Sequence, residues 1–136
     1  DLSHITMTHP TPASITFISC HSLKKYPVIT GKVLSANAMF YNNRSLKIIP
    51  AYDFSSLTNI SSWLFGVDRQ VTKSLVFGLK ISHTYVNQLL DTAALNEIFT
   101  NLGTANAGAT ITITGNPGAS TCTQSIATLK GWTVIN

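Results

Sequence analysis

The sequence predicts a mixed α/β fold: a short solenoid of parallel strands, closed at its C-terminal end by a helix–strand–helix–strand segment. Three observations lead there. A short phrase is written twice, a Phe frame recurs with it, and the last third changes its periodicity. Residues 22–27 read SLKKYP and residues 45–50 read SLKIIP, so four of six letters repeat 23 positions apart. Phe17 stands six residues before Leu23, Phe40 six before Leu46, and Phe65 six before Val71, giving offsets of 23 and then 25. A period of roughly 20 to 30 residues marks units too small to bury their own apolar face, which must stack to form a continuous core.

Within each unit the SLKxxP phrase reads as a strand with its Leu pointing inward. Pro27 and Pro50 end the first two copies, because Pro cannot donate to a ladder. A partial earlier unit begins near Leu2, with His4–Met7 as its strand. Asn42, Asn43 and Asn59 suit corners, where side-chain amides can satisfy backbone groups. Tyr26 lies between inward positions and is expected in the core. These units occupy residues 1–90. The third of them lacks a closing Pro and a Cys or Asn corner, so the register of residues 66–90 is not set by the pattern.

Residues 91–136 continue the same domain as a closing segment. Leu95, Ile98, Phe99 and Leu102 share one helical face over 92–102, with Asp91 or Thr92 as N-cap and Gly103 as C-cap. TITIT at 110–114 alternates as a strand, and Asn116-Pro117-Gly118 makes a turn. TCTQ at 121–124 has the form of a capping box before a second helix lined by Cys122, Ile126 and Leu129 and ended by Gly131. WTVI at 132–135 is the closing strand, with Trp132 structural. Such a segment hides the open edge of a stack.

Composition narrows the class of protein. Only 10% of residues are charged, against about a quarter in ordinary globular proteins, and Ser, Thr and Asn supply the missing polarity. Such a surface fits a secreted, cell-surface or viral structural protein better than a cytosolic enzyme. The net charge of +4 comes from few acids, 5, rather than many bases, 9. Lys24-Lys25 is the one adjacent basic pair, which gives no footing for nucleic-acid binding. No apolar stretch is long enough to insert in a membrane. The chain begins at Asp1, as a fragment or processed product would. Cys20 and Cys122 read first as free thiols, with a disulfide between them left open.

No catalytic constellation emerges, and the chain is expected not to be an enzyme. The five acids, Asp1, Asp53, Asp68, Asp91 and Glu97, are scattered singly, and no GxSxG elbow occurs. His4 with His9, and Cys20 with His21, lack a third ligand at metal spacing, so no metal or cofactor is expected. His83 reads as solvent-facing or hydrogen-bonded. Asn43-Arg44-Ser45 and Asn59-Ile60-Ser61 match the glycosylation pattern, as chance allows in so Asn- and Ser-rich a chain. The candidate binding surface is a basic stripe. Lys24 and Lys47 each follow an inward Leu and would project from strands about 4.8 Å apart. Arg44 and Arg69 match across units, and Tyr41 and Tyr52 lie beside corners as candidates for exposure. An anionic glycan or lipopolysaccharide would offset the repulsion within that stripe.

The phrases FxxCxSLKxxP and MFxNxxSLKxIP, followed by SSLTNISSWLF, resemble leucine-rich repeats of the BspA type. ALNEIFTNLGT, ITITGNPGA and SIATLKGWTV are similar to the ending of repeat proteins found in bacteriophage tail fibres, and in some bacterial surface proteins. The resemblance implies a leucine-rich-repeat-like solenoid and a role on a virion surface or tail fibre, recognising or adhering to a host cell. Partners would be a host surface glycan or protein receptor and other virion proteins. Tail fibres are often trimeric, so a homotrimer is one oligomeric state the resemblance leaves open beside a monomer. It carries over no active-site residue. A bacterial cell-surface adhesin and a purely structural virion component, such as a decoration or tail protein, are the alternatives.

Overall fold

A computed structural model describes residues 1–8, 13–67 and 69–136. Among the described residues the chain forms short parallel strands in small open sheets, with two helices near its C-terminal end. The strands are β1 (Thr6–Thr8), β2 (Ala13–Ser14), β3 (Val28–Thr30), β4 (Val33–Ser35), β5 (Ile48–Ile49), β6 (Lys73–Ser74), β7 (His83–Thr84), β8 (Thr110–Thr112) and β9 (Thr133–Ile135). Helix α1 is Thr92–Asn101 and α2 is Ser125–Thr128. β1 pairs with β3, β2 with β4, β5 with β6, and β7–β8–β9 form one sheet, all parallel. Met7 lies opposite Ile29, Ile49 opposite Ser74, His83 opposite Ile111 and Ile111 opposite Val134, so partners stand 22, 25, 28 and 23 residues further on.

Five left-handed corners organise these pairings. Ser19, Asn42, Gly66, Asn87 and Gly115 have φ of 55°, 56°, 73°, 54° and 77°. Ser19 donates its backbone N–H to Tyr41 O, Asn42 to Phe65 O and Asn87 to Thr114 O, each at 2.8 Å. Three of the four consecutive corner pairs are therefore bonded in the same way, Gly66 to Asn87 being the exception. They are so close that a Cβ on Gly66 would fall 2.0 Å from Asn42 Oδ1, and one on Gly115 2.1 Å from Asn87 Oδ1. Glycine alternates with Asn here because it tolerates the left-handed backbone and leaves room for the amide below.

The residue after each corner turns inward: Cys20, Asn43, Val67, Gln88 and Asn116. Three of these are buried amides that satisfy the backbone of the preceding segment. Asn43 Oδ1 accepts from Cys20 N–H at 2.7 Å, Gln88 Oε1 from Val71 N–H at 3.1 Å, and Asn116 Oδ1 from Leu90 N–H at 3.2 Å. Asn116 Nδ2 also donates to Tyr85 O and Ile113 O, at 2.6 and 2.8 Å. The residue two before each corner is the aligned core position, giving the column Phe17, Phe40, Leu64, Tyr85 and Ile113. Phe65 does not belong to it. Leu64 is buried and Phe65 is 60% exposed, because the third corner falls at Gly66 and sets the spacing from Phe40 at 24 rather than 25.

The repeated phrase folds alike in both copies, though not as a strand throughout. Leu23 N–H donates to Cys20 O at 3.0 Å, and Leu46 N–H to Asn43 O at 3.2 Å. Leu46 is fully buried, and Leu23 packs half-buried on the same core. Pro50 does follow β5, but Pro27 precedes β3, so in the first copy proline opens the strand instead of ending it. Aromatic rings run through the core without a break. Phe17 stacks on Phe40 at 6.0 Å, Tyr26 meets both edge-on, Phe40 lies 6.3 Å from Trp63, and Trp63 meets Tyr85 at 5.2 Å.

The closing segment follows its predicted order with three corrections. Asp91 is the N-cap of α1, accepting from Ala94 N–H at 2.8 Å, and Ala94, Leu95, Ile98 and Phe99 are buried. Gly103 is not a left-handed C-cap. Its missing Cβ admits Gly78 O, 2.9 Å from where that atom would sit. Lys130 does the capping instead, donating Nζ to Phe99 O, Thr100 O and Leu102 O at 3.0, 2.5 and 2.8 Å. The TCTQ capping box does not form: Gln124 is the N-cap of α2 without a side-chain bond, and Thr123 N–H is bonded to Asn96 Oδ1. Leu129 is 88% exposed, because α2 is a single turn and ends before it.

Two outcomes test this packing. Asn116→Ala leaves Leu90 N–H and Tyr85 O unsatisfied in the core, while Ile113 O keeps the backbone N–H of residue 116, and is expected to cost about 3 kcal/mol in urea unfolding. Gly118→Ala sets a methyl 2.3 Å from Asp91 C and Thr92 N. Main chain cannot step aside as a side-chain tip can, so a loss of about 2 kcal/mol or more is expected in the same measurement.

Candidate functional site

Three of the six residues proposed for the basic stripe surround one concavity. Lys24, Arg44 and Lys47, with Ser45 and Gln70, line a cleft of about 230 Å³. Its floor is fixed by the stacking. Ser45 Oγ donates to His21 O at 2.6 Å, and Thr72 donates from N and Oγ1 to Lys47 O at 2.9 and 3.3 Å. Lys24, Arg44 and Lys47 are exposed, and none forms an ion pair among the described residues. Neither lysine sits in a strand: Lys24 precedes β3 by several residues and Lys47 stands directly before β5. Arg69 is exposed at a left-handed position beside Gln70, its N–H bonded to Asn87 O at 2.7 Å, and it does not line the cleft.

Other cations are already engaged. Lys25 pairs with Asp1 at 3.4 Å, Lys73 with Glu97 at 3.2 Å, and Lys130 holds the end of α1. Three of the nine basic residues thus have contacts within the chain, whereas three without an ion pair among the described residues converge on the cleft.

The tyrosines divide. Tyr52 is fully buried, so its expected exposure is wrong; its hydroxyl donates to Pro27 O at 2.9 Å and ties one segment to the next. Its neighbours are apolar and its ring is a core element, which the nearby proline had disguised as a corner. Tyr41 is half-exposed and stacks on Phe65 at 5.1 Å with planes 15° apart. Sequence reasoning missed this outer aromatic pair because it put Phe65 inside. Tyr26 and Trp132 are core residues as expected. Burial pushes the phenols of Tyr26, Tyr52 and Tyr85 up.

Cys20 and Cys122 are both free and half-buried, and burial pushes the Cys122 thiol up, away from the nucleophilic form. Asn43 is fully buried, which closes the first glycosylation match to an attached sugar. Among the described residues no group of three His, Cys, Asp or Glu could hold a metal ion, and no helix is long and apolar enough to cross a membrane. His9 and Asp68 lie outside the described residues.

His83 is hydrogen-bonded rather than solvent-facing. It is 6% exposed, with Nδ1 3.0 Å from Ile81 O and Nε2 without a partner, its ring edge-on to Tyr85 and Trp132. Burial is the main cause that lowers its pKa to about 4, against a weaker opposing effect of the Ile81 carbonyl. The native state therefore resists a proton that the unfolded chain accepts below pH 6.5. Stability should be full above that pH, fall as pH drops from 6.5 toward 4, and level off for this group below 4. The expected loss is of order 3 kcal/mol, and His83→Phe should flatten that part of a pH series of urea midpoints.

Comparison with protein-family models, with curated proteins and with solved structures gives no match.

Proposed function

We propose that this chain is a non-enzymatic recognition module, built as a leucine-rich-repeat-like solenoid and carried on a virion surface such as a tail fibre, where it adheres to a host cell. The five corners at spacings of 23, 24, 21 and 28 residues support the solenoid reading. The convergence of Lys24, Arg44 and Lys47 on one cleft without a neighbouring carboxylate among the described residues supports recognition of an anionic glycan, of which lipopolysaccharide is an example. Three cations on one small concavity repel one another, and a bound phosphate or carboxylate would relieve that repulsion. Arg44 adds the planar fork that takes such groups bidentately.

The Lys24→Glu, Lys47→Glu double variant tests this reading. Both residues are exposed and bear no side-chain hydrogen bond among those described, so its melting temperature should stay within about 2 °C of the parent. Binding to vesicles containing lipopolysaccharide should fall at least about tenfold, and binding by the parent should weaken as salt rises. Undiminished binding by the variant would rule out the basic cleft as the contact.

A further inference from the structure

One seam in the stack is not closed by backbone pairing. Ala36, Ala38 and Phe40 donate N–H groups to Asn59 O, Ser61 O and Trp63 O, at 2.8, 2.9 and 2.9 Å. Their counterparts 24 residues on, Ile60, Ser62 and Leu64, donate to no described residue. In their place Trp63 sends its indole N–H across to Thr84 O at 3.0 Å. Beyond the seam the ladder resumes, with Tyr85 N–H on Thr112 O at 2.8 Å. Two clefts flank the indole, of about 420 and 360 Å³, and Ser62 and Thr84 line both.

The larger cleft has no Lys, Arg, Asp or Glu in its lining, and polar side chains alternate there with Ile60, Ile81 and His83. It carries Thr58, Asn59, Ser61, Ser62, Ser82 and Thr84. The smaller cleft is bounded by Phe65, which is 60% exposed and braced from below by Tyr41. A ligand must therefore supply acceptors to a row of backbone N–H groups, donors and acceptors to hydroxyls, and one apolar face to an aromatic ring. An inserted peptide strand would also supply acceptors, and its side chains could reach the hydroxyls and the ring, but it brings a row of donors that needs free carbonyls opposite. Its own N–H groups would face Thr84 O and Val86 O, which Trp63 and Gln88 already engage. A pyranose meets all three, through ring hydroxyls on one side and C–H groups on the other.

We propose that this seam is a binding site for a neutral oligosaccharide, distinct from the basic cleft and independent of the reading given to it. Titration of the 15N-labelled chain with maltohexaose, mannohexaose and galactohexaose, followed by amide shifts and hydrogen exchange, tests it. The amides of Ile60, Ser62 and Leu64 should exchange quickly in the free protein, and at least one sugar should shift and protect them. Phe65→Ala should weaken that binding about tenfold, with the melting temperature unchanged. Ser61→Trp, placed to fill the larger cleft from an exposed position, should abolish it. The site is overturned if those amides are already protected without ligand, if none of the three sugars moves them at millimolar concentration, or if an alternating Thr-Val peptide moves them instead. The double lysine variant should bind the neutral sugar as the parent does, so loss of the basic cleft and loss of the seam are told apart.

Discussion

A buried side-chain amide that satisfies the backbone of the neighbouring segment is the constraint on which the rest of this fold depends. The strands are two or three residues long, too short for their ladders to hold the stack alone. The chain turns sharply at its left-handed corners, and a sharp inward turn buries N–H and C=O groups that no strand can reach. An unpaired buried group costs about 1 to 3 kcal/mol, enough to decide whether a small domain folds. Asn43, Gln88 and Asn116 meet that demand at three of the five corners, and the left-handed residue before each aims the amide inward. The core column then packs on a backbone whose polar groups are engaged except at the seam of Ile60, Ser62 and Leu64.

The same constraint accounts for the irregular middle. At the third corner the inward residue is Val67, which has no amide to offer. Gln88 compensates from the next corner, its longer side chain reaching Val67 O as well as Val71 N–H. That reach draws the spacing in to 21 residues, and the following circuit lengthens to 28 as it takes in α1. The unpaired seam falls on the 21-residue step, and pairing resumes on the 28-residue one. A mismatch of register is thus concentrated in one gap bridged by Trp63, rather than spread as weak bonds over every tier.

What the sequence makes legible follows from this physics. The SLKxxP phrase and the Phe frame have an offset of 23 residues, and the bonded corners at Ser19 and Asn42 stand the same distance apart in the chain. The closing segment was readable because a helix of α1's length declares itself by its apolar face, and TITIT by its alternation. The third unit was misread by one residue, since Phe65 is a better apparent match to Phe40 than Leu64 is; only the position of Gly66 separates them. Tyr52 was misplaced because a pattern of letters cannot say which side of a corner faces in. Lys24, Arg44 and Lys47 were found by their shared repeat positions, whereas the cleft's remaining wall, Gln70, comes from a unit with no recognisable phrase. The seam left no signal in the sequence, being an absence of pairing rather than a residue type.

The repeated turn geometry couples the inner and outer faces of this molecule. At the turns, buried Met39-Phe40 and Trp63-Leu64 are followed by outward Tyr41 and Phe65, and inward Leu23 and Leu46 are followed by exposed Lys24 and Lys47. Outer columns therefore inherit the spacing of inner ones, whatever selects their chemistry. Adjacent tiers place like residues about 4.8 Å apart, a distance over which aromatic rings stack favourably and like charges repel. An aromatic column is stable by itself and a basic one is not. With so few carboxylates in the chain, the basic column has little to answer it from within, which is the physical reason to look for its counter-charge on another molecule.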